Sequence, residues 1–330
     1  MKVAVFSTKS YDKEYFEKFN QNYKHEITWF ETALNADTAY LCRGHNAICV
    51  FVNDKMDRRT IEILYENGVR LIALRCAGFN NVDLEAACQY HIKIVRVPAY
   101  SPEAVAEHTV ALILTLNRKT HKAYNRVREG NFSLENLIGF NLYGKTVGVI
   151  GTGQIGAAFA GTMLGFRCRV IAYDVRENER LKSRGVEYQD FSTLLSESDI
   201  LSLHCPLNAE TYHMINAEAL RMMKKGAMLI NTGRGALIRT KDVIKALKSG
   251  KLGYLGIDVY EQEEHLFFND WSSSIILDDD ISRLLTFPNV LITSHQAFLT
   301  QEALEQIAVT TLENISDFEN NLPLRNEVIL

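Results

Sequence analysis

The chain has 330 residues, too many for one ordinary core and suited to two domains of roughly 150 residues each. Its 36 Lys and Arg against 40 Asp and Glu give a formal net charge of −4, which argues against a nucleic-acid surface, because such a surface needs excess positive charge against phosphates. At 47% hydrophobic and 23% charged residues the composition is that of a globular protein, and no apolar stretch approaches the ~18 residues of a membrane-spanning helix.

The first apolar run, residues 3–6, is too short for the core of a secretion signal and is followed by no small-residue cleavage site, so it reads as a strand. Further β-branched runs at 47–52, 71–74 and 92–97 also read as strands, with amphipathic helical stretches at 11–19, 58–66 and 84–90 between them. Tyr100-Ser101-Pro102-Glu103 marks a boundary: Ser101 can cap a helix, Pro102 suits its first turn, and Glu103 complements the positive end of its dipole. The helix it opens is predicted to run to about Arg128. A second series of strands follows at 146–150, 170–173, 200–203, 227–231, 254–259 and 290–293, six in all, and a long helical pattern at 300–318 has no strand after it. Strands alternating with helices throughout predict an α/β protein with doubly wound parallel sheets.

The six cysteines, at 42, 49, 76, 88, 168 and 205, form no C-x-x-C pair, and the nine histidines form no metal-binding pair on one helix face. No metal is expected, and the thiols point to a reducing, cytoplasmic setting.

Gly151-Thr152-Gly153-Gln154-Ile155-Gly156 follows the strand at 146–150 and opens a helix to about Gly165. Glycines there allow a tight turn, close approach of backbone to a pyrophosphate and close helix packing, while the helix N-terminus favours the phosphate charge. Asp174, 18 residues past Gly156 at the end of the next strand, is where a carboxylate can bind the ribose hydroxyls of NAD and repel a 2′-phosphate. Arg176, two residues on, is a cation that would favour NADP instead. Three more residues follow strand ends: Arg234 in Asn231-Thr232-Gly233-Arg234-Gly235, Glu263 after Asp258-Val259-Tyr260, and His295. Singly they read as a surface arginine, a solvated acid and a hydrogen-bonded histidine. Together they supply a fork for a carboxylate, an acid for a developing alkoxide, and a partner that keeps that acid protonated, which is what hydride transfer to a 2-oxo acid requires.

The chain resembles the D-isomer-specific 2-hydroxyacid dehydrogenases, and within them the fermentative lactate branch. The segments that carry the likeness are Ala73-Leu-Arg-Cys-Ala-Gly-Phe-Asn-Asn-Val-Asp83, Arg96-Val-Pro-Ala-Tyr-Ser-Pro-Glu-Ala-Val-Ala-Glu-His108, Gly148-Val-Ile-Gly-Thr-Gly-Gln-Ile-Gly156, Ser202-Leu-His-Cys-Pro-Leu207, Asn231-Thr-Gly-Arg-Gly-Ala-Leu237 and His295-Gln-Ala-Phe-Leu-Thr300. They span nearly the whole chain in the family order. Two positions depart from the common pattern. Gly233 stands where Ser or Ala is more frequent, and Glu264 stands where many members, though few of the lactate branch, have proline.

The resemblance implies NADH-linked interconversion of pyruvate and D-lactate, with Arg234 on the substrate carboxylate and carbonyl, His295 as acid/base and Glu263 as its partner. Ala77, Gly78, Tyr100 and Phe298 would border the substrate. The cofactor side would comprise Gly151, Gly153, Gln154, Ile155, Gly156, Asp174, Cys205, Pro206, Thr232, Gly233 and Asp258. The family fold implies a Rossmann cofactor domain, 101–298, inserted in a flavodoxin-like substrate domain, 1–100 and 299–330, with hinges near Tyr100 and Phe298. It also implies a homodimer or homotetramer, with the long helix from Pro102 as its interface. Two other readings stay open: a sibling enzyme for hydroxypyruvate, glyoxylate or 2-oxobutyrate, and a non-catalytic NAD-sensing scaffold.

Overall fold

Continuous apolar runs bounded by turn residues build two wholly parallel sheets in this chain, whose computed structural model describes residues 1–329. The first unit is Met1–Ser101 together with the chain from Leu299 onward, and the second is Pro102–Phe298.

The first unit contains β1 (Lys2–Val5), α1 (Ser10–Asn20), β2 (Glu26–Trp29), β3 (Ala47–Val50), α2 (Arg58–Glu66), β4 (Leu71–Leu74), α3 (Leu84–Gln89) and β5 (Lys93–Arg96). Its sheet order is β2-β1-β3-β4-β5, the flavodoxin-like arrangement. Every residue of β3 and β4 is buried, as befits strands covered by helices on both faces. Asp57 and Asp83 cap α2 and α3 by accepting from the amides of Thr60 and Ala86. The C-terminal helix, Gln301–Glu319, packs on α1, β4 and β5. The tail beyond it bonds to the edge of β5, with the Arg96 amide donating to Asn326 O and the Val328 amide to Ile94 O.

The second unit begins with α4 (Pro102–Arg118) and α5 (Thr120–Arg128), two helices where the sequence pattern predicts one. The break is at Lys119, which takes a left-handed backbone with φ 52°. Just before it, the Asn117 side chain is drawn out of helical routine: its Nδ2 donates to Phe140 O and its Oδ1 accepts from the Phe140 amide. Then come β6 (Thr146–Ile150), α6 (Gln154–Gly165), β7 (Arg169–Tyr173), α7 (Glu179–Lys182), β8 (Glu187–Tyr188), α8 (Phe191–Glu197), β9 (Ile200–Leu203), α9 (Ala217–Met222), β10 (Ala227–Asn231), α10 (Thr240–Lys248), β11 (Leu252–Ile257), α11 (Asp279–Leu285) and β12 (Val290–Ile292). The sheet order is β12-β11-β10-β9-β6-β7-β8. It has seven strands where six were read, because the two-residue edge strand β8 carries no apolar run of its own.

Gly148 sits in the middle of β6, where an added Cβ would lie 2.1 Å from Ser198 Oγ and 3.1 Å from a Leu201 methyl. Ser198 is buried and its hydroxyl donates to Leu194 O, so it cannot swing aside without losing that bond. Gly148→Ala is therefore expected to destabilise the second unit by about 1–3 kcal/mol, the usual cost of overpacking. The check is the denaturant midpoint of the purified variant; an unchanged midpoint would show that the strand has slack.

Candidate active site

The turn after β6 is glycine because of what surrounds it. Gly151 has φ +89°, and a Cβ there would lie 2.5 Å from the Cys205 amide nitrogen; a Cβ at Gly156 would lie 1.9 Å from Gly151 O. Gly153, which caps α6, has nothing within 4 Å of its Cβ position. The start of α6, with Gln154 and Ile155 in its first turn, thus faces open space: a cavity of about 600 Å³ borders Thr152, Gly153 and Gln154. Unsatisfied amides at a helix start beside such a space suit a pyrophosphate.

Asp174 lies just past the end of β7 and is hydrogen-bonded into this turn. Its Oδ2 accepts from the amide and hydroxyl of Thr152 at 2.5 and 3.0 Å, and its Oδ1 from the Arg176 amide at 3.0 Å. Partial burial would raise its pKa, but the bonds from Arg176 and Thr152 outweigh it and hold the carboxyl below the ordinary range. A fixed negative charge therefore stands beside the glycine turn. Beneath the turn, burial pushes the His204 imidazole down to about 3 and the Cys205 thiol up to about 11, so both are neutral at pH 7. Pro206, next in the chain, is exposed.

β10 delivers the arginine. Asn231, buried at its end, holds the following turn from both sides: its Oδ1 accepts from the Gly233 amide at 3.1 Å and its Nδ2 donates to Arg234 O at 2.8 Å. The Thr232 hydroxyl is 2.9 Å from that of Thr109 on α4. Arg234 is half-buried, its Nη1 donates to Gly233 O, and among the described residues no carboxylate forms a salt bridge with it. A guanidinium in this state is ready for an external anion.

β11 and β12 deliver the histidine. Asp258, fully buried after β11, gathers the loop that follows β12. Its Oδ1 accepts from Thr293 Oγ1 at 2.5 Å and from the Gln296 amide at 2.9 Å, and its Oδ2 accepts from the Ala297 amide at 2.8 Å. His108 on α4 adds an Nε2 at 3.5 Å from the carboxylate and 3.0 Å from Thr293 Oγ1. The His295 amide donates to Asp258 O at 2.7 Å, and His295 itself has φ 52°. In this pose His295 Nδ1 is 2.8 Å from Glu263 Oε1, while Glu263 Oε2 accepts from the Tyr260 amide at 2.8 Å. With Nδ1 committed to the carboxylate, Nε2 is the ring nitrogen left to meet a reactant. Phe298, three residues on, is buried.

The first unit holds the other expected substrate residues. Ala77 and Gly78 lie in the loop after β4, where Ala77 O accepts from Arg96 Nη1 at 2.8 Å; Tyr100 lies after β5. That loop begins at Arg75, a fully buried arginine that donates to Phe6 O and Ser7 O and pairs with Asp12 at 3.3 Å. Sequence reasoning missed Arg75, Thr109, Asn231 and Thr293. Arg75 and Asn231 stood within segments that carry the resemblance, but nothing in their spacing marked them as supports.

Residues 110–297 match the family model for the NAD-binding domain of D-isomer-specific 2-hydroxyacid dehydrogenases. The chain is 54% identical to 2-hydroxyacid dehydrogenase A of Aspergillus oryzae, covering 100% of this chain and 95% of that one. It is 52% identical to D-lactate dehydrogenase of Escherichia coli over 100% of both. The apo-structure of the Escherichia coli D-lactate dehydrogenase superposes with a TM-score of 0.92, covering 100% of each chain. Family match, full-length identity and the glycine turn with its carboxylate agree, and the chain belongs to the NAD-binding D-isomer-specific 2-hydroxyacid dehydrogenases.

Proposed function

We propose that the chain catalyses reversible, stereospecific hydride transfer between NADH and pyruvate, giving D-lactate and NAD. The observation that carries this reading is the pairing of His295 Nδ1 with Glu263 at 2.8 Å, in a unit that also presents the carboxylate-free Arg234. Gly151, Gly153, Gln154, Ile155, Gly156 and Asp174 would hold the dinucleotide's phosphates and ribose, with Cys205, Pro206, Thr232 and Gly233 toward its nicotinamide; Asp258, fully buried, serves the site by holding the loop that carries His295 instead of touching the cofactor. Bound there, the nicotinamide supplies or takes the hydride. Arg234 fixes the substrate by its carboxylate and polarises the carbonyl. His295 Nε2 gives a proton to the carbonyl oxygen in reduction and takes it back in oxidation, and the Glu263 carboxylate stabilises the charged imidazole meanwhile. Ala77, Gly78, Tyr100 and Phe298 border the substrate in this reading.

No described helix is long and apolar enough to cross a membrane. The free cysteines support a cytoplasmic site of action. We further infer a homodimer or homotetramer built on α5 and the segment after it, where Tyr124, Val127, Phe132, Leu134, Ile138 and Tyr143 are all exposed; apolar surface on that scale marks an interface.

The test is NADH oxidation by purified protein with pyruvate, 2-oxobutyrate, glyoxylate and hydroxypyruvate, with product chirality determined. The highest kcat/KM is expected for pyruvate, with D-lactate formed. A clear preference for hydroxypyruvate or glyoxylate would move the chain to a sibling activity. Failure to oxidise NADH with any of them would make it a cofactor-sensing scaffold.

Two substitutions probe the assigned roles. Arg234→Lys replaces a planar fork with a point charge and should lose roughly 1.5–3 kcal/mol of charge-assisted hydrogen bonding, or about 10- to 150-fold in kcat/KM for pyruvate. The Kd for NADH should stay near wild type, and equal losses in both would remove Arg234 from the substrate site. Asp174→Ser should weaken NADH use and narrow its advantage over NADPH. A wild type already indifferent to the 2′-phosphate would overturn the role of Asp174.

A further inference from the structure

The second unit contains another histidine–carboxylate pair that the reaction does not use. His213 Nε2 lies 2.6 Å from Glu261 Oε1, both side chains 21% exposed. The other oxygen, Oε2, accepts from the Thr240 amide at 3.0 Å at the start of α10. Burial alone would raise the Glu261 pKa; the bonds from Thr240 and His213 hold it below the ordinary range, so the group is a carboxylate at pH 7.

What this pair joins is specific. On one side is the segment at 211–215, where His213 has a left-handed backbone, φ 52°, with the Tyr212 ring stacked on its own at 3.9 Å. Its amide donates to Ala236 O at 2.8 Å, the Ile215 amide to Leu237 O at 3.0 Å, and the Arg239 amide back to Ile215 O at 3.0 Å. This segment therefore holds residues 236–239, directly after Arg234. On the other side, Glu261 belongs to the turn that carries Glu263. The two turns touch at Gly235, where an added Cβ would lie 2.1 Å from the carbonyl carbon and oxygen of Tyr260. Tyr260 in turn gives its amide to Glu263 Oε2.

We propose that His213 and Glu261 are positioning residues that clamp the Arg234 turn against the Tyr260–Glu263 turn, so that the guanidinium and the His295 partner keep a fixed relative placement. Neither residue touches the reactants. The clamp rests on the assignment of Arg234 to the substrate carboxylate. Breaking it leaves the glycine turn and Asp174 intact, so the phosphate and ribose contacts of the dinucleotide are spared; Thr232 and Gly233 share the loosened turn, so cofactor binding is weakened far less than the substrate fork, which loses its support.

The experiment is steady-state kinetics on Glu261→Ala, Glu261→Gln and His213→Gln, with KM for pyruvate, kcat and NADH Kd measured separately. Glu261→Ala should raise KM for pyruvate about 10- to 100-fold, the scale of a small misplacement of a binding group, with a several-fold smaller change in NADH Kd. Glu261→Gln keeps an acceptor for the Thr240 amide and a partner for His213, and should recover most of the loss. His213→Gln keeps the cap on α10, so it decides the matter if Glu261→Ala does not fold, and it should show a smaller rise in the same KM. Wild-type KM for pyruvate in Glu261→Ala, or in His213→Gln if that variant alone folds, overturns the clamp even if kcat falls. So does a Glu261→Gln protein as impaired as Glu261→Ala. A wild-type enzyme that oxidises NADH with no 2-oxo acid is a different failure, one of the proposed activity itself.

Discussion

A carboxylate sealed from water must have its charge met by the protein, and Asp258 is the group around which the second unit's chemistry is arranged. Its charge is met by Thr293, by the amides of Gln296 and Ala297, and by His108. The loop after β12 that supplies those donors folds back on β11, where His295 takes a left-handed backbone and its amide bonds to Asp258 O. That conformation costs a non-glycine residue roughly 1–2 kcal/mol. His295 is consequently set with Nδ1 on Glu263, and its tautomer and orientation follow from the fold.

The sheet explains why these residues can meet. All pairings in it are parallel, so the carboxyl ends of β6, β7, β9, β10, β11 and β12 share one edge, and ligands of open parallel sheets bind at that edge. The glycine turn, Asp174, Cys205, Arg234, Asp258 and His295 each follow one of those strands. Helix α4 stabilises the edge from behind: adjacent residues His108 and Thr109 hydrogen-bond to Thr293 and Thr232, and so tie the ends of β12 and β10 to a single helix.

Much of this was legible in the sequence because buried parallel strands have to be continuous apolar runs, as at Leu71–Leu74 and residues 227–230. The glycine turn was legible because no other residue fits at Gly151 or Gly156. Edge elements were not: β2 keeps its residues only partly buried and β8 has two residues, so neither shows a period. The break at Lys119 was hidden because the groups that meet this stretch, Phe140 on Asn117 and the carbonyls of Asn136 and Ile138 on Lys119, lie 17 to 23 residues away in the chain. The roles of Arg234, Glu263 and His295 could be read from their residue types at strand ends and from the family resemblance. The supports could not, since Asn231, Thr109 and the His213–Glu261 pair act through contacts that no local spacing encodes.

The central claim is that one group, His295, is the proton donor in reduction and the acceptor in oxidation. Reduction then needs it protonated and oxidation needs it neutral. The most direct test is kcat/KM for pyruvate and for D-lactate across pH on the same enzyme. The account predicts that the pyruvate profile falls as pH rises and the D-lactate profile falls as pH drops, and that both limbs disappear in His295→Gln. Limbs of the opposite sense, or limbs that survive the substitution, would contradict it.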